Sequence, residues 1–349
     1  MRRLYWSLSL LLTVGLFAPP APAQNQKLVM EEFMVPAKDP GLQLYVRNKR
    51  PEGMTQFSPE KTVVYVHGAT YPSETAFDLP LAGQSWMDYI ASRGYDVYLL
   101  DLRGYGKSSR PKEMDQPPEA NEPIVTTEVA RRDVGAVVDH ILQRRSIQKV
   151  NLIGWSWGTS IMATYAIENP QKVDRLVLYA PQWLRTTPLP IPASGKLGAY
   201  RSVKREAARD RLLNGVPEEK KADLIPAGWF DTWADAAFAS DPVGAAQTPP
   251  VLRAPNGVLV DELTYYSAGK PLYDPSRIAV PTMLAVAEWD RDTPPYMAQT
   301  LFPLLTNAPA KQLVMFGEGT HTIIMEKNRM QLFNAVQNFL EEKLNGGRS

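Results

Sequence analysis

Val150-Asn151-Leu152-Ile153-Gly154-Trp155-Ser156-Trp157-Gly158 is the stretch on which the fold turns. Residues 150–153 form a short run suited to a strand buried on both faces. Residues 159–168 carry helical spacing and stop at Asn169-Pro170. A serine between two glycines therefore sits where a strand turns into a helix. Such a turn lifts the middle side chain above the sheet edge. The glycines let neighbouring backbone approach without a Cβ clash, and the helix aims its first N–H groups at the same spot. The pentapeptide G-x-S-x-G also occurs by chance, and the plain alternative is a serine N-cap in an ordinary strand–helix unit. The strand before it and the helix after it favour Ser156 as a nucleophile.

Outward from this turn the same alternation repeats. Upstream come extended stretches at 29–36 and 42–47. Next is the β-branched and aromatic run Thr62–Val66, which breaks at His67-Gly68-Ala69-Thr70. A helix over 81–93, a strand over 95–100 ending at Asp101, and a helix over Thr127–Arg145 follow. A strand over Val173–Tyr179 comes after the Ser156 turn. Residues 181–274 then turn rich in Pro, Ala and charge, with helical patches at 202–214 and 218–233 and no strand run. Alternation resumes with a strand over 278–287, a helix over 294–305, a strand over 312–316 and an amphipathic helix over 328–344. The expectation is an α/β fold: a mostly parallel central sheet with helices on both faces. A structureless stretch of that length does not fit a compact domain. Residues 182–275 are therefore read as an inserted, mainly helical cap, between core segments 24–181 and 276–349.

A serine hydroxyl needs a base to act as a nucleophile, and the chain has only three histidines. The base must come from a loop at the carboxyl ends of the strands, as Ser156 does. His321, in Gly317-Glu318-Gly319-Thr320-His321, meets this condition. His140 lies near the far end of its helix and reads as structural. His67 is on the correct edge, but it runs into Gly68-Ala69, a turn that presents backbone N–H groups, and reads as scaffolding. The acid that orients the base should follow a strand between nucleophile and base. Glu288-Trp289-Asp290-Arg291-Asp292 offers three carboxylates, of which Asp290 is favoured over Asp292 and Glu288. Leu178-Tyr179-Ala180-Pro181, at the end of the preceding strand, holds none.

Composition narrows the classes further. Of 349 residues, 38 are Lys or Arg and 37 Asp or Glu, with no block of one sign, so neither nucleic acid nor an anionic membrane surface is indicated. No cysteine occurs, which rules out disulfides, thiolate metal sites and a cysteine nucleophile. Arg2 and Arg3, an uncharged run over 4–17, and Ala21-Pro22-Ala23 read as a signal peptide over residues 1–23, cleaved before Gln24. The run is shorter than the ~20 residues a membrane span needs. The expectation is a periplasmic or secreted protein with no stable membrane anchor after cleavage.

His67-Gly68, Asp101-Leu102-Arg103-Gly104-Tyr105-Gly106-Lys107-Ser108, Gly154-Trp155-Ser156-Trp157-Gly158, Trp289-Asp290-Arg291-Asp292-Thr293-Pro294 and Gly319-Thr320-His321 together resemble the ordered landmarks of the α/β-hydrolase superfamily. The resemblance covers the chain outside the leader and the insertion. It implies Asp290 as the triad acid, since the family uses the first Asp of its D-x-x-T/V-P stretch. It implies an oxyanion hole from the backbone N–H groups of Ala69 and Trp157. Asp101 and Arg103 would build a turn rather than do chemistry. Haloalkane dehalogenases and epoxide hydrolases are disfavoured, because they carry Asp where this chain has Ser156. The expected activity is hydrolysis of a carboxylic ester or lactone through an acyl-enzyme, with no metal or organic cofactor.

Proline iminopeptidases also carry a Trp after the nucleophile. Their usual His-Gly-Gly-Pro-Gly loop is here His67-Gly68-Ala69-Thr70-Tyr71. A carbon–carbon bond hydrolase is a further alternative. A non-catalytic binder on the same scaffold is disfavoured, because such a protein would usually have lost a triad member. Aromatic residues beside the catalytic loops and in the insertion — Tyr71, Trp157, Trp183, Trp229, Phe230, Trp233 and Trp289 — point to a pocket for an apolar or aromatic ester, a small-molecule substrate. The alternative is that they are core residues gluing the cap down. Trp155 is expected to face back into the sheet packing.

Overall fold

The computed structural model describes residues 27–189 and 196–343. The signal peptide read over 1–23 lies outside them. The strands, in chain order, are β1 (Leu28–Pro36), β2 (Gln43–Pro51), β3 (Thr62–Val66), β4 (Asp96–Leu100), β5 (Val150–Trp155), β6 (Val173–Tyr179), β7 (Tyr200–Lys204), β8 (Val251–Pro255), β9 (Thr282–Ala287) and β10 (Lys311–Phe316). Eight of them make one sheet in the order β1-β2-β4-β3-β5-β6-β9-β10. β2 runs antiparallel to β1 and β4, and the other pairs are parallel. Every residue of β3, β4, β5 and β9 is buried, as their near-continuous apolar runs require of strands covered on both faces.

The helices are α1 (Ser73–Phe77), α2 (Trp86–Ala91), α3 (Thr127–Arg145), α4 (Trp157–Glu168), α5 (Arg205–Leu212), α6 (Lys221–Leu224), α7 (Trp229–Ala239), α8 (Pro242–Ala245), α9 (Gly257–Asp261), α10 (Pro295–Leu301) and α11 (Arg329–Glu341). They pack the sheet into two apolar layers. One contains Val134, Ile141, Ile161 and Leu284; the other contains Trp86, Tyr179, Phe333 and Leu340.

Several boundaries differ from expectation, each for a local reason. The helix read over 81–93 starts only at Trp86. Ser85 Oγ accepts from the Asp88 N–H at 2.9 Å while Asp88 Oδ2 accepts from the Ser85 N–H at 3.0 Å, a capping box that begins the helix there. Upstream, Ala82 and Gly83 take positive φ and leave only a short 3-10 turn. The strand read over 278–287 starts at Thr282, after Pro281. The helix read over 294–305 gives way after Leu301 to a 3-10 turn containing Pro303.

The segment between β6 and β9 is mainly helical, but it also contains strands the sequence reading lacked. β7 and β8 pair antiparallel, Tyr200 against Pro255 through Lys204 against Val251. Both are five residues long and carry charged residues, so neither shows a clear period. Their partners are also distant in sequence. Arg253 is buried in β8 with both Asp241 carboxylate oxygens accepting from it at 2.8 Å. The patch at 202–214 is accordingly part β7 and part α5. The patch at 218–233 is broken by Pro226 and by Gly228 at φ 79°.

Candidate active site

The carboxyl ends of β3, β5, β9 and β10 converge, and the candidate residues meet there. Ser156 closes β5 at φ 55°, ψ −121°, a strained backbone for a residue with a Cβ. Its N–H donates to the Tyr179 carbonyl at 2.9 Å, and α4 starts at the next residue. The glycines are needed for close approach. A Cβ on Gly158 would lie 2.7 Å from the His67 carbonyl oxygen, and one on Gly154 would collide with the Gly158 carbonyl. A Cβ on Gly68 would meet the Ser156 Cβ at 3.0 Å. β3 and β5 are thus pressed together at the point where Ser156 emerges. Ala69 lines the same cavity as Ser156, Trp157 follows Ser156 in sequence, and the N–H groups of both have no acceptor among the described residues.

Asp290 Oδ2 lies 2.8 Å from His321 Nδ1. The carboxylate is fully buried. Its Oδ1 accepts from the N–H groups of Asp292 and Thr293, both at 2.8 Å, and its Oδ2 also accepts from Thr293 Oγ1 at 2.9 Å. Held this way, Asp290 keeps the proton on Nδ1 and turns the Nε2 lone pair toward the cavity. The His321 carbonyl accepts from Trp155 Nε1 at 3.1 Å and from the Tyr179 hydroxyl at 2.8 Å, which pins the loop from below. Buried Glu326 accepts from the Thr320 N–H, and burial pushes its carboxyl up to about 7. Glu288 is exposed and instead accepts from the Glu318 N–H at 3.0 Å. Ser156 and His321 line one cavity. Ser156 Oγ makes no hydrogen bond among the described residues, and such contacts commonly tighten only when substrate is bound.

Asp292 enters the site differently. Its Oδ2 accepts from Arg211 Nε at 2.6 Å and lies 3.8 Å from His321 Nε2. Burial opposes both charges of the Arg211–Asp292 pair, and their mutual attraction overrides it. The carboxyl is held below its usual range and the guanidinium above. Burial also works to lower His321, but Asp290 and Asp292 together leave it above its ordinary 6.5. A general base acts when neutral, so the acid limb of kcat/KM lies above that value. Asp292→Asn removes one of the raising charges and moves the limb to lower pH. A pH–rate profile measures this, and an unmoved limb would mean Asp292 does not act on the imidazole. The position of the limb is the measure, because the substitution also strips Arg211 of its counterion.

The other two histidines lie outside this arrangement. His67 is buried between the Gly68 carbonyl on Nδ1 (2.7 Å) and the Leu102 N–H on Nε2 (3.1 Å), and burial pushes it down to about 4. It stays neutral and fastens the β3 loop to the β4 loop. His140 packs on Phe33 at 5.4 Å. Asp101 accepts from the Ser73 and Lys107 N–H groups, and Arg103 pairs with Asp133 and Asp39, so both hold turns.

The pocket differs from the aromatic one expected. Two small cavities flank Ser156, of about 20 Å³ and about 30 Å³. Gly68, Thr70, Tyr71, Trp155, Arg211, Leu212, Asp292 and Thr322 line the first; Gln182, Arg185, Glu262, Val258 and Leu259 join in the second. Of the proposed pocket aromatics only Tyr71 is a wall. Trp183 packs on Tyr273 at 5.3 Å, and Trp233 sits edge-on behind Tyr71 at 4.6 Å. Trp229 lies under the Arg329 guanidinium at 4.8 Å, against α11. Trp289 is half-buried, with its N–H tied to the Gly319 carbonyl. Trp157 points away into the core, its Nε1 on Thr127 Oγ1 at 2.8 Å. Trp157, Trp183 and Trp233 are fully buried, while Trp229 and Trp289 are half-buried away from the cavity. Trp155 packs on Tyr179 as expected and lines the cavity as well.

Missing from the sequence reading were Arg185, Arg201, Arg211, Gln182, Glu262 and Thr70. Arg185 Nε donates to Glu262 at 2.5 Å, and its Nη2 to the Asp292 carbonyl at 2.7 Å. Arginines in a charged insertion read as solvated surface, and no local pattern marks them as buried.

The chain belongs to the α/β-hydrolase fold family, whose sequence profile matches residues 61–328. It is similar to Lipase member M of Homo sapiens, at 28% identity over 160 residues, 45% of this chain and 37% of that protein. It is also similar to the 2-hydroxy-6-oxononadienedioate/2-hydroxy-6-oxononatrienedioate hydrolase of Cupriavidus pinatubonensis, at 28% identity over 34% of this chain and 35% of that protein. These matches span little more than a third of the relatives' own length. A thermophilic esterase from Thermogutta terrifontis superposes with a TM-score of 0.58 at 15% identity, covering 89% of this chain and 98% of that one, a likeness of fold.

Proposed function

We propose that this protein is a serine hydrolase that cleaves a carboxylic ester or lactone through an acyl-enzyme on Ser156. The observation that carries the reading is the 2.8 Å Asp290–His321 contact at the edge of a cavity into which Ser156 opens, with two uncommitted backbone N–H groups beside it. Ser156 Oγ attacks the carbonyl carbon and His321 Nε2 takes its proton. The carbonyl electrons move onto oxygen, where the Ala69 and Trp157 N–H groups bind them. His321 then returns the proton to the departing alcohol. Water, deprotonated by the same imidazole, releases the acid and restores Ser156.

The charged and polar residues in the cavity walls favour a substrate with polar groups close to the scissile bond, beside the apolar or aromatic character expected from the placement of the aromatic residues. Residues 182–275 act in this reading as a cap whose α5 closes over the nucleophile, and residues 1–23 direct export. An aminopeptidase would need carboxylates available for the substrate amine. Asp292 and Glu262 are occupied by Arg211 and Arg185, which weighs against it. A fluorophosphonate probe, followed by a panel of p-nitrophenyl esters, lactones and aminoacyl naphthylamides, tests the proposal. Labelling at Ser156 with ester or lactone turnover is the expected result. An unlabelled, folded protein would refute it.

A further inference from the structure

Arg201 is a half-buried cation, its Nε fully enclosed, that the chemistry above does not use. It projects from β7, in the segment between β6 and β9, toward the loop after β3. Its Nη2 donates to the Ala69 carbonyl at 2.6 Å and to Thr70 Oγ1 at 2.9 Å. Its Nη1 donates to the Pro255 carbonyl at 2.7 Å and to Asn256 Oδ1 at 3.3 Å. Its buried Nε has no partner. Three other arginines of this segment, buried Arg185 and Arg253 and half-buried Arg211, each rest on a carboxylate. Arg201 rests on none among the described residues. Burial without a counterion pushes its guanidinium down to about 10. It therefore stays charged at neutral pH, although desolvating an unpaired cation is costly.

The acceptor it holds gives this cost a purpose. The Ala69 carbonyl is gripped from two sides, by Arg201 and by the Tyr105 hydroxyl at 2.9 Å. Ala69 lines the cavity with Ser156, and its own N–H is one of the two assigned above to the oxyanion. Clamping its carbonyl fixes the peptide unit that follows Ala69 and so anchors the loop directly behind this N–H, whose own peptide unit is held through the Gly68 carbonyl on His67. Arg201 also brings an unneutralised positive charge behind the place where negative charge grows in the tetrahedral intermediate.

We propose that Arg201 is a positioning residue for the oxyanion hole, so that the insertion completes the catalytic machinery rather than only covering it. The inference rests on the reading of Ser156 as nucleophile. When Ser156 Oγ bonds to the carbonyl carbon and the electron pair moves to oxygen, Arg201 exchanges no proton. It acts through the Ala69 peptide and its field.

The test compares Arg201→Gln and Arg201→Lys with wild type, using the ester turned over best. A trifluoromethyl ketone, which forms an oxyanion adduct on an active serine, serves as the transition-state probe. Arg201→Gln should lower kcat by about ten- to a hundredfold, less than the 10²–10³ lost with an oxyanion donor itself, while KM changes little. Ketone affinity should fall in step with kcat. Arg201→Lys, which keeps the charge but not the forked geometry, should recover part of both. A folded Arg201→Gln with unchanged kcat and ketone affinity overturns the proposal. So does a rise in KM alone, which would make Arg201 a ground-state binding group. If Arg201→Gln does not fold, Arg201→Lys and Tyr105→Phe decide, and unchanged kcat in both overturns it. A wild type that fluorophosphonate does not label would instead sink the Ser156 reading, so the two failures are distinguishable.

Discussion

Ser156→Ala leaves the fold intact and removes nearly all ester turnover, on the order of 10⁴-fold or more. The fold survives because Ser156 Oγ supports no hydrogen bond among the described residues and its backbone N–H still reaches the Tyr179 carbonyl. Its strained φ of 55° is imposed by the packing of Gly154, Gly158 and Gly68 around it, which alanine shares. The residual rate comes from substrate binding and the two N–H groups alone. Thermal melting and initial rates on purified protein measure both halves. A Ser156→Ala protein that melts normally and keeps most of its activity would remove the nucleophile and the mechanism with it.

Asp290→Asn is the second large loss, about 10⁴-fold in kcat when an orienting acid becomes an amide. Oδ1 of Asp290 is fixed by two backbone N–H donors, so an asparagine there keeps its oxygen on those donors and turns its NH2 toward His321. Nδ1 must then accept, which moves the proton to Nε2, where the serine proton has to go. Asp292→Asn leaves this contact intact and should cost far less. Parallel kcat measurements on the two variants give the ranking. The reverse order would transfer the orienting role to Asp292 and its 3.8 Å approach to Nε2.

Most of the sheet was legible because its signals are local. Thr62–Val66, Thr127–Arg145 and Val173–Tyr179 come out with the expected bounds, each a continuous run closed by a turn residue or an abrupt change of pattern. Asp290 and His321 could be named because chain order and strand ends restrict where a partner for Ser156 can lie. The pocket was not legible, because its walls are made by distant pairs. Arg211 meets Asp292 across 81 residues, and Arg201 meets Ala69 across 132. No periodicity encodes such a meeting. Trp183, Trp229, Trp233 and Trp289 were over-read for a related reason. A large ring near a catalytic loop in sequence is as readily absorbed by the core, where Trp183 and Trp233 lie, or left half-buried elsewhere, as Trp229 and Trp289 are.

The two cavities beside Ser156, about 20 and 30 Å³, have one further meaning. By this measure a single water fills ~10–15 Å³, so each has room for about one or two waters. The Arg211–Asp292 pair forms a wall of both and joins α5 to the core there. The same carboxylate raises the proton affinity of His321. Arg211 works the other way on the imidazole, so the balance of the pair bears on how tightly His321 holds a proton. One ion pair thus bears on both the space beside Ser156 and the proton affinity of His321.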